Sequence, residues 1–157
     1  MLLKNIAAAG VALMLAMPCQ TSELAQYEEY KGKCALEVSA AYDYTDEDVW
    51  YLSHIIAEEC GDPWCKDETQ FYVGSVVLNR VESPSFPNNI RDVILSPGQY
   101  TNTSVLSRYE PSERVMEVTY DLLHEGSVLP PEVVFHANFH QGSGVHCESD
   151  TIYFCYK

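Results

Sequence analysis

The sequence predicts a small α+β domain, dominated by helices and ending in a short C-terminal β-hairpin. Three observations predict it. The chain has 157 residues, 46% of them hydrophobic, which suits one packed core and is too apolar for a disordered chain. Segments between Thr45 and Glu125 carry helical spacing with recognisable starts and stops. Two strand-like pieces then follow Pro130 and Pro131, separated by a glycine-containing loop.

Residues 1–22 are expected to direct export. Lys4 supplies a positive start and Ile6–Met17 an apolar run, the length of a signal-peptide core and short for a membrane span. A cleaved signal, an uncleaved anchor and a lipidated Cys19 are the readings, although Pro18 stands where a small residue precedes a lipidated cysteine. All three put the domain outside the cytoplasm, secreted or attached to the envelope. Residues 23–46 read as an acidic, tyrosine-rich arm without clear period, and residues 47–157 as the folded domain.

The first helix starts at Thr45, an N-cap followed by Asp46, Glu47 and Asp48, where the helix dipole favours acids. It runs through Val49, Leu52, Ile55 and Ile56 and stops at Gly61, Asp62 and Pro63. A second helix spans about Asp67 to Val81. Its stretch Tyr72–Leu78 has strand propensity, but its length and polar ends favour a buried helix. Ser83–Pro87 breaks it. A short helix, Ile90–Leu95, ends at Pro97 and Gly98. The segment from Pro111 to Glu125 is helical, with Pro111 placed in the first turn, Val115, Val118 and Leu122 on one face and Gly126 as terminator. Val133–Ala137 and Thr151–Tyr156 are read as strands that pair across the loop Gln141–Val145.

Charge narrows the function. With 23 acidic and 9 basic side chains the formal net charge is −14, so the chain lacks the Lys/Arg surface that nucleic acid or anionic lipid requires. The excess lies early: Glu23–Gln70 holds 13 acids and 3 bases. Six cysteines, an even number, fit an oxidising compartment. Cys60 and Cys65 flank a tight turn that suits a local disulfide, and Cys147 and Cys155 stand where they would close the C-terminal hairpin; spacing alone leaves the connectivity open. A zinc site would draw on these cysteines with His136, His140 and His146. No C-x-x-C or H-E-x-x-H spacing is present, so neither a metal nor another cofactor is expected.

The candidate catalytic groups are Glu58 and Glu59, at the end of the first helix. At 100° per residue Glu59 falls near the centre of the apolar face and Glu58 near its edge, and a carboxyl group in such a cleft can act as a general acid. Periodicity alone favours Glu59; two solvated acids at a frayed helix end is the plain alternative.

A longer pattern decides between them. The run Leu52–Asp62 (Leu-Ser-His-Ile-Ile-Ala-Glu-Glu-Cys-Gly-Asp) is followed by Gln70, by Gly74–Val81 (Gly-Ser-Val-Val-Leu-Asn-Arg-Val) and by Ser83–Pro87 (Ser-Pro-Ser-Phe-Pro). Ile90–Ile94, Pro97–Tyr100, the helix to Leu123, Phe135–Asn138 and Tyr153–Tyr156 continue in order. Together they resemble the SleB/CwlJ-type cell wall hydrolase family, which includes spore cortex-lytic enzymes, over about residues 47–157. The resemblance implies a lysozyme-like fold and a peptidoglycan glycan strand as partner, with the protein acting as a monomer. It implies that Glu58, in an Ala-Glu-x-x-Gly pattern followed by an acid, is the catalytic carboxyl, used in the manner of a lytic transglycosylase on the bond between N-acetylmuramic acid and N-acetylglucosamine. Gln70, Ser75, Gln99, Tyr100, Phe135, His136, Asn138 and Tyr153 match family positions and are the candidate substrate-binding residues. For Ser75 helix packing, and for His136 a satisfied strand histidine, are the alternatives. Asn79 is read as a tie between helix and loop, and Arg80 as a structural partner for an acid.

Three departures from the family pattern stand out: Glu59 where a small residue is usual, Tyr153 where a histidine is usual, and the loop Gln141–Val145 in place of an aromatic-Trp element. Two adjacent acids are expected to raise each other's pKa. An amidase, which usually needs a metal, and a degenerate wall-binding module are the competing functions.

Overall fold

The computed structural model describes residues 43–61, 63–100 and 103–157. The expected leader, most of the acidic arm, Cys19, Cys34 and Asp62 lie outside the described residues. Among the described residues four α-helices and a three-stranded sheet follow in order: α1 Asp46–Cys60, α2 Asp67–Glu82, α3 Ile90–Leu95, a 3-10 segment Thr103–Arg108, α4 Glu113–Glu125, then β1 Val133–Ala137, β2 Gly144–Ser149 and β3 Ile152–Tyr156. The architecture is the small, helix-dominated α+β domain that the pattern predicts. Among the described residues no helix is long and apolar enough to cross a membrane.

α1 starts with a reciprocal capping box. The Asp48 N–H donates to Thr45 Oγ1 at 3.2 Å and the Thr45 N–H to Asp48 Oδ2 at 2.9 Å, which satisfies two donors that helix geometry leaves open. α2 is the centre of the domain and packs against α1, α3, α4 and β1. Thr69, Gln70 and every residue from Val73 to Arg80 are buried, so the helix is enclosed on most sides and its β-branched residues are decided by packing, not propensity. Gly74 permits this crowding: a Cβ there would meet Leu122 Cδ1 at 2.4 Å and Ile56 Cδ1 at 2.9 Å. The partner helix α4 presents Val115, Val118, Thr119, Leu122 and Leu123 as its buried stripe. Its N-cap is Ser112, whose hydroxyl accepts from the Val115 N–H at 3.1 Å, so Pro111 lies outside the helix and not in its first turn.

The sheet has the order β1-β3-β2, all antiparallel. β1 and β3 pair as expected. β2 is an addition, taken from the sequence largely as loop, because exposed Val145 and His146 and half-exposed Cys147 break any in-out alternation. Gly142 makes the entry to β2 possible: its φ is +57° and a Cβ would lie 1.8 Å from the Tyr156 carbonyl oxygen.

The expected Cys147–Cys155 crosslink does not form, and both thiols are free. Cys147 stands opposite Phe154 and Cys155 opposite Val145. Side chains alternate along a strand, so this one-residue offset puts the two sulfurs on opposite faces of the sheet. The Cys60–Cys65 disulfide does form.

β2 turns into β3 through Asp150 and Thr151, with φ of 48° and 71°, a conformation that matches the strand twist. Asp150 also stitches this turn to the start of α2. Its Oδ2 accepts from the Lys66 N–H at 2.7 Å and from Thr69 Oγ1 at 2.6 Å. Thr69 thereby spends its only proton, so Ser149 Oγ is the donor in the 2.6 Å contact between them. The Thr69 hydroxyl and then the Lys66 N–H hold the Asp150 carboxyl below its ordinary value. A depressed carboxyl contributes stability above its unfolded value and loses it as pH falls through the folded one. Asp150→Asn is therefore expected to lower the thermal midpoint at neutral pH, with the two proteins converging in strong acid. Melting curves taken from about pH 7 to about pH 2 check this.

Candidate active site

Glu58 and Glu59 close the last turn of α1. Two restraints hold that turn: the Cys60–Cys65 disulfide, and Gln70 of α2, fully buried, whose Nε2 donates to the Cys60 carbonyl at 3.1 Å. Both glutamates line a cavity of about 370 Å³, with Gly61, Trp64, Tyr109 and Glu110 on its other sides. That volume suits a sugar ring and its substituents. Glu58 is half-buried, and its Oε2 is shielded from solvent.

Glu59 turns toward a buried polar cluster. His136 of β1 places Nε2 3.7 Å from Glu59 Oε2, with only 6% of the histidine side chain exposed. Arg80 of α2 is 4% exposed; its Nε donates to the Val134 carbonyl at 2.7 Å, and its guanidinium lies 5.3 Å from the Tyr100 ring centroid and 5.5 Å from that of Phe86. Burial alone pushes the Glu59 carboxyl up. Hydrogen bonding and charge from His136, a hydrogen bond with Glu58 and the Arg80 charge outweigh it and hold Glu59 below its ordinary value. Mutual raising of the two acids thus fails for Glu59, where the contributions of His136 and Arg80 outweigh it. Tyr100, 8% exposed, has its phenol pushed up by burial, an effect opposed by Arg80 and reinforced by Glu59.

The expected site residues divide accordingly. Glu58, Tyr100 and His136 come together around Glu59 and Arg80. Gln70 stands behind them as a support for the helix end. Ser75 is fully buried and accepts from the Val128 N–H at 3.0 Å, so it packs a helix against a loop. Asn79 ties α2 to the strand entry, donating to the Pro130 and Val133 carbonyls at 2.8 and 2.9 Å. Gln99 is partly exposed in the turn closed by its N–H to the Ser96 carbonyl, and Asn138 is exposed beyond β1. Phe135 and Tyr153 share the sheet face opposite His136, since His136 pairs with the core residue Phe154 while Phe135 and Tyr153 are set one residue off. The Tyr153 ring packs edge-on against His140, 4.5 Å between centroids. Trp64, Tyr109 and Glu110 were not singled out from sequence. A signal existed for Trp64, an aromatic between Pro63 and a cysteine at the end of an acidic helix; Tyr109 and Glu110 follow a 3-10 segment that has no periodic signature. Among the described residues no group of three or more His, Cys, Asp or Glu is placed to hold a metal ion.

A family model described as cell wall hydrolase matches residues 64–146. The chain belongs to the cell wall hydrolase family. Two curated relatives carry the name spore cortex-lytic enzyme. That of Halalkalibacterium halodurans is 31% identical over 102 residues, 64% of this chain and 29% of the relative. That of Bacillus subtilis is 30% identical over 83 residues, 52% of this chain and 26% of the relative. The matched stretch is therefore under a third of either relative's length. No solved structure matches the chain. Arg80, Tyr100 and His136 fall inside the matched residues, and Glu58 lies six residues ahead of them.

Proposed function

We propose that this domain cleaves the glycan strands of peptidoglycan outside the cytoplasm, as a lytic transglycosylase with Glu58 as its single catalytic carboxyl. The observation that carries the reading is the place of Glu58: half-buried at the end of α1, with Oε2 shielded from solvent, it lines a cavity of about 370 Å³. Shielding from water and the neighbouring Glu59 carboxyl, which is held below its ordinary value, both favour the protonated form of Glu58. A carboxyl so placed in a sugar-sized cavity is suited to act as a general acid.

Glu58 gives its proton to the glycosidic oxygen between N-acetylmuramic acid and N-acetylglucosamine, and the C1–O bond breaks. The 2-acetamido group of the muramic residue supports the cationic sugar. Glu58, now anionic, removes the proton from the C6 hydroxyl, whose oxygen closes onto C1 as a 1,6-anhydro ring. No second carboxylate facing Glu58 is required, unlike the usual two-carboxylate arrangement. Glu59 follows Glu58 on the same helix end, so it does not supply that partner across the bond.

One observation favours hydrolysis as a second reading: Glu110 lines the same cavity from the loop ahead of α4, where a carboxylate suits the positioning of a water. The two differ in product, an anhydro end against a reducing end. The reading is tested by incubating the protein with purified peptidoglycan. Soluble glycan fragments support it; an undigested wall, or stem peptides released from intact glycan, overturns it.

Glu59→Ala removes the anion next to Glu58. The charges facing the pair are His136 from β1, Arg80 from α2 and Glu110 from across the cavity, with the Tyr100 phenol close by. Without Glu59 these leave Glu58 easier to ionise, and the alkaline limb of kcat/KM is expected to move to lower pH. Rate profiles of both proteins on solubilised glycan check the direction.

The acidity of the chain agrees with a substrate poor in wall phosphate, or with salt sufficient to screen the repulsion. Residues 1–22 would direct export.

A further inference from the structure

The cavity beside Glu58 has a wall that acid catalysis does not use. Trp64 is 86% exposed, the most exposed large hydrophobic side chain among the described residues, yet it lines this cavity. Its position is not that of a loose loop tip. The Cys60–Cys65 disulfide closes the loop, the Trp64 N–H donates to the Gly61 carbonyl at 3.1 Å, and Lys66, two residues on, is held through its N–H by Asp150. Three restraints thus fix the backbone that carries an indole beside a carboxylate-bearing cleft. A flat, electron-rich ring open to solvent suits the apolar C–H face of a pyranose, and fixing its backbone beforehand reduces the ordering cost of binding.

We propose that Trp64 is a sugar-stacking platform, fixed by the Cys60–Cys65 disulfide, that takes an N-acetylated hexosamine ring next to the bond Glu58 cleaves. The inference rests on the glycan-cleaving reading and adds a binding residue to it. Half-buried Tyr109 and the Glu110 carboxylate line the same cavity and bound the space such a ring would fill.

The chain has two tryptophans, Trp50 and Trp64, so Trp50→Phe leaves Trp64 as the only indole reporter. In that protein tri-N-acetylchitotriose is expected to shift the emission to the blue, saturably. Trp64→Ala is expected to raise KM for solubilised glycan about tenfold with kcat changed far less, and Trp64→Phe to recover part of the loss. The double variant Cys60→Ser, Cys65→Ser should raise KM in the same direction while keeping a native circular dichroism spectrum. Cleavage with an unchanged KM in Trp64→Ala, or an emission that ignores the sugar while the enzyme still cleaves, overturns the platform and leaves Glu58 standing. Saturable binding without any cleavage supports the platform and overturns the catalytic reading. Neither binding nor cleavage overturns both.

Discussion

Glu58→Gln is expected to lower glycan cleavage by roughly 10²- to 10⁴-fold, the span that a positioned acid–base group contributes. The substitution keeps the size of the side chain and its capacity to hydrogen-bond Glu59, but an amide neither protonates the leaving oxygen nor takes the C6 proton. Both halves of the proposed reaction lose the same group, so kcat should fall while KM for solubilised glycan stays near that of the wild type. The fold should be unaffected, because the last turn of α1 is held by the Cys60–Cys65 disulfide and by Gln70, not by Glu58. Glu59→Gln is the informative companion. It abolishes the negative charge next to Glu58 and leaves the acid in place, so activity should persist with an altered pH profile. If Glu58→Gln keeps full activity and Glu59→Gln loses it, the two roles are exchanged.

Phe154→Ala is expected to cost about 3–5 kcal/mol of stability, the range for truncating a buried phenylalanine. Phe154 is fully buried on the central strand β3, meets the Tyr72 ring edge-on at 5.2 Å, and lies 6.1 Å from the His136 ring. The lost contacts form a gap that strands on both sides prevent from closing, since β3 pairs with β1 and β2. Against a total stability of about 5–15 kcal/mol the loss is large. Urea denaturation should show a lower midpoint with an unchanged slope. The gap also opens beside His136, which holds Glu59, so activity should fall by more than the unfolded fraction explains. Tyr153→Ala, on the other face of β3, should cost less, because Tyr153 is only partly buried.

Much of this fold is legible in the sequence because its signals are local. Thr45 with Asp48 announces the start of α1, and Ser112, three residues before Val115, caps α4, although Pro111 drew attention one residue early. The buried α2 shows in its length and polar ends despite a strand-like centre. What escapes is long-range. β2 becomes a strand only because β3 offers it an edge, and its own residues show no alternation. Whether Cys147 meets Cys155 depends on a register that no spacing reveals, and a one-residue offset separates them. The site divides in the same way. Periodicity turns Glu59 toward the core, and the structure agrees that Glu59 is the one facing buried His136 and Arg80. Periodicity does not show that these partners hold the Glu59 carboxyl below its ordinary value, since both arrive from elements more than 20 residues away. Ser75 and Tyr153, chosen by resemblance, lie in the interior and on the far side of the sheet; matching positions do not specify which face of an element meets the cleft.

The central claim is that Glu58 alone carries glycan cleavage, and mass spectrometry of the sugar ends released from purified peptidoglycan tests it most directly. The account predicts 1,6-anhydro-N-acetylmuramic ends from the wild-type protein and almost none from Glu58→Gln. Anhydro ends from Glu58→Gln at the wild-type rate, or stem peptides freed from intact glycan, would contradict it.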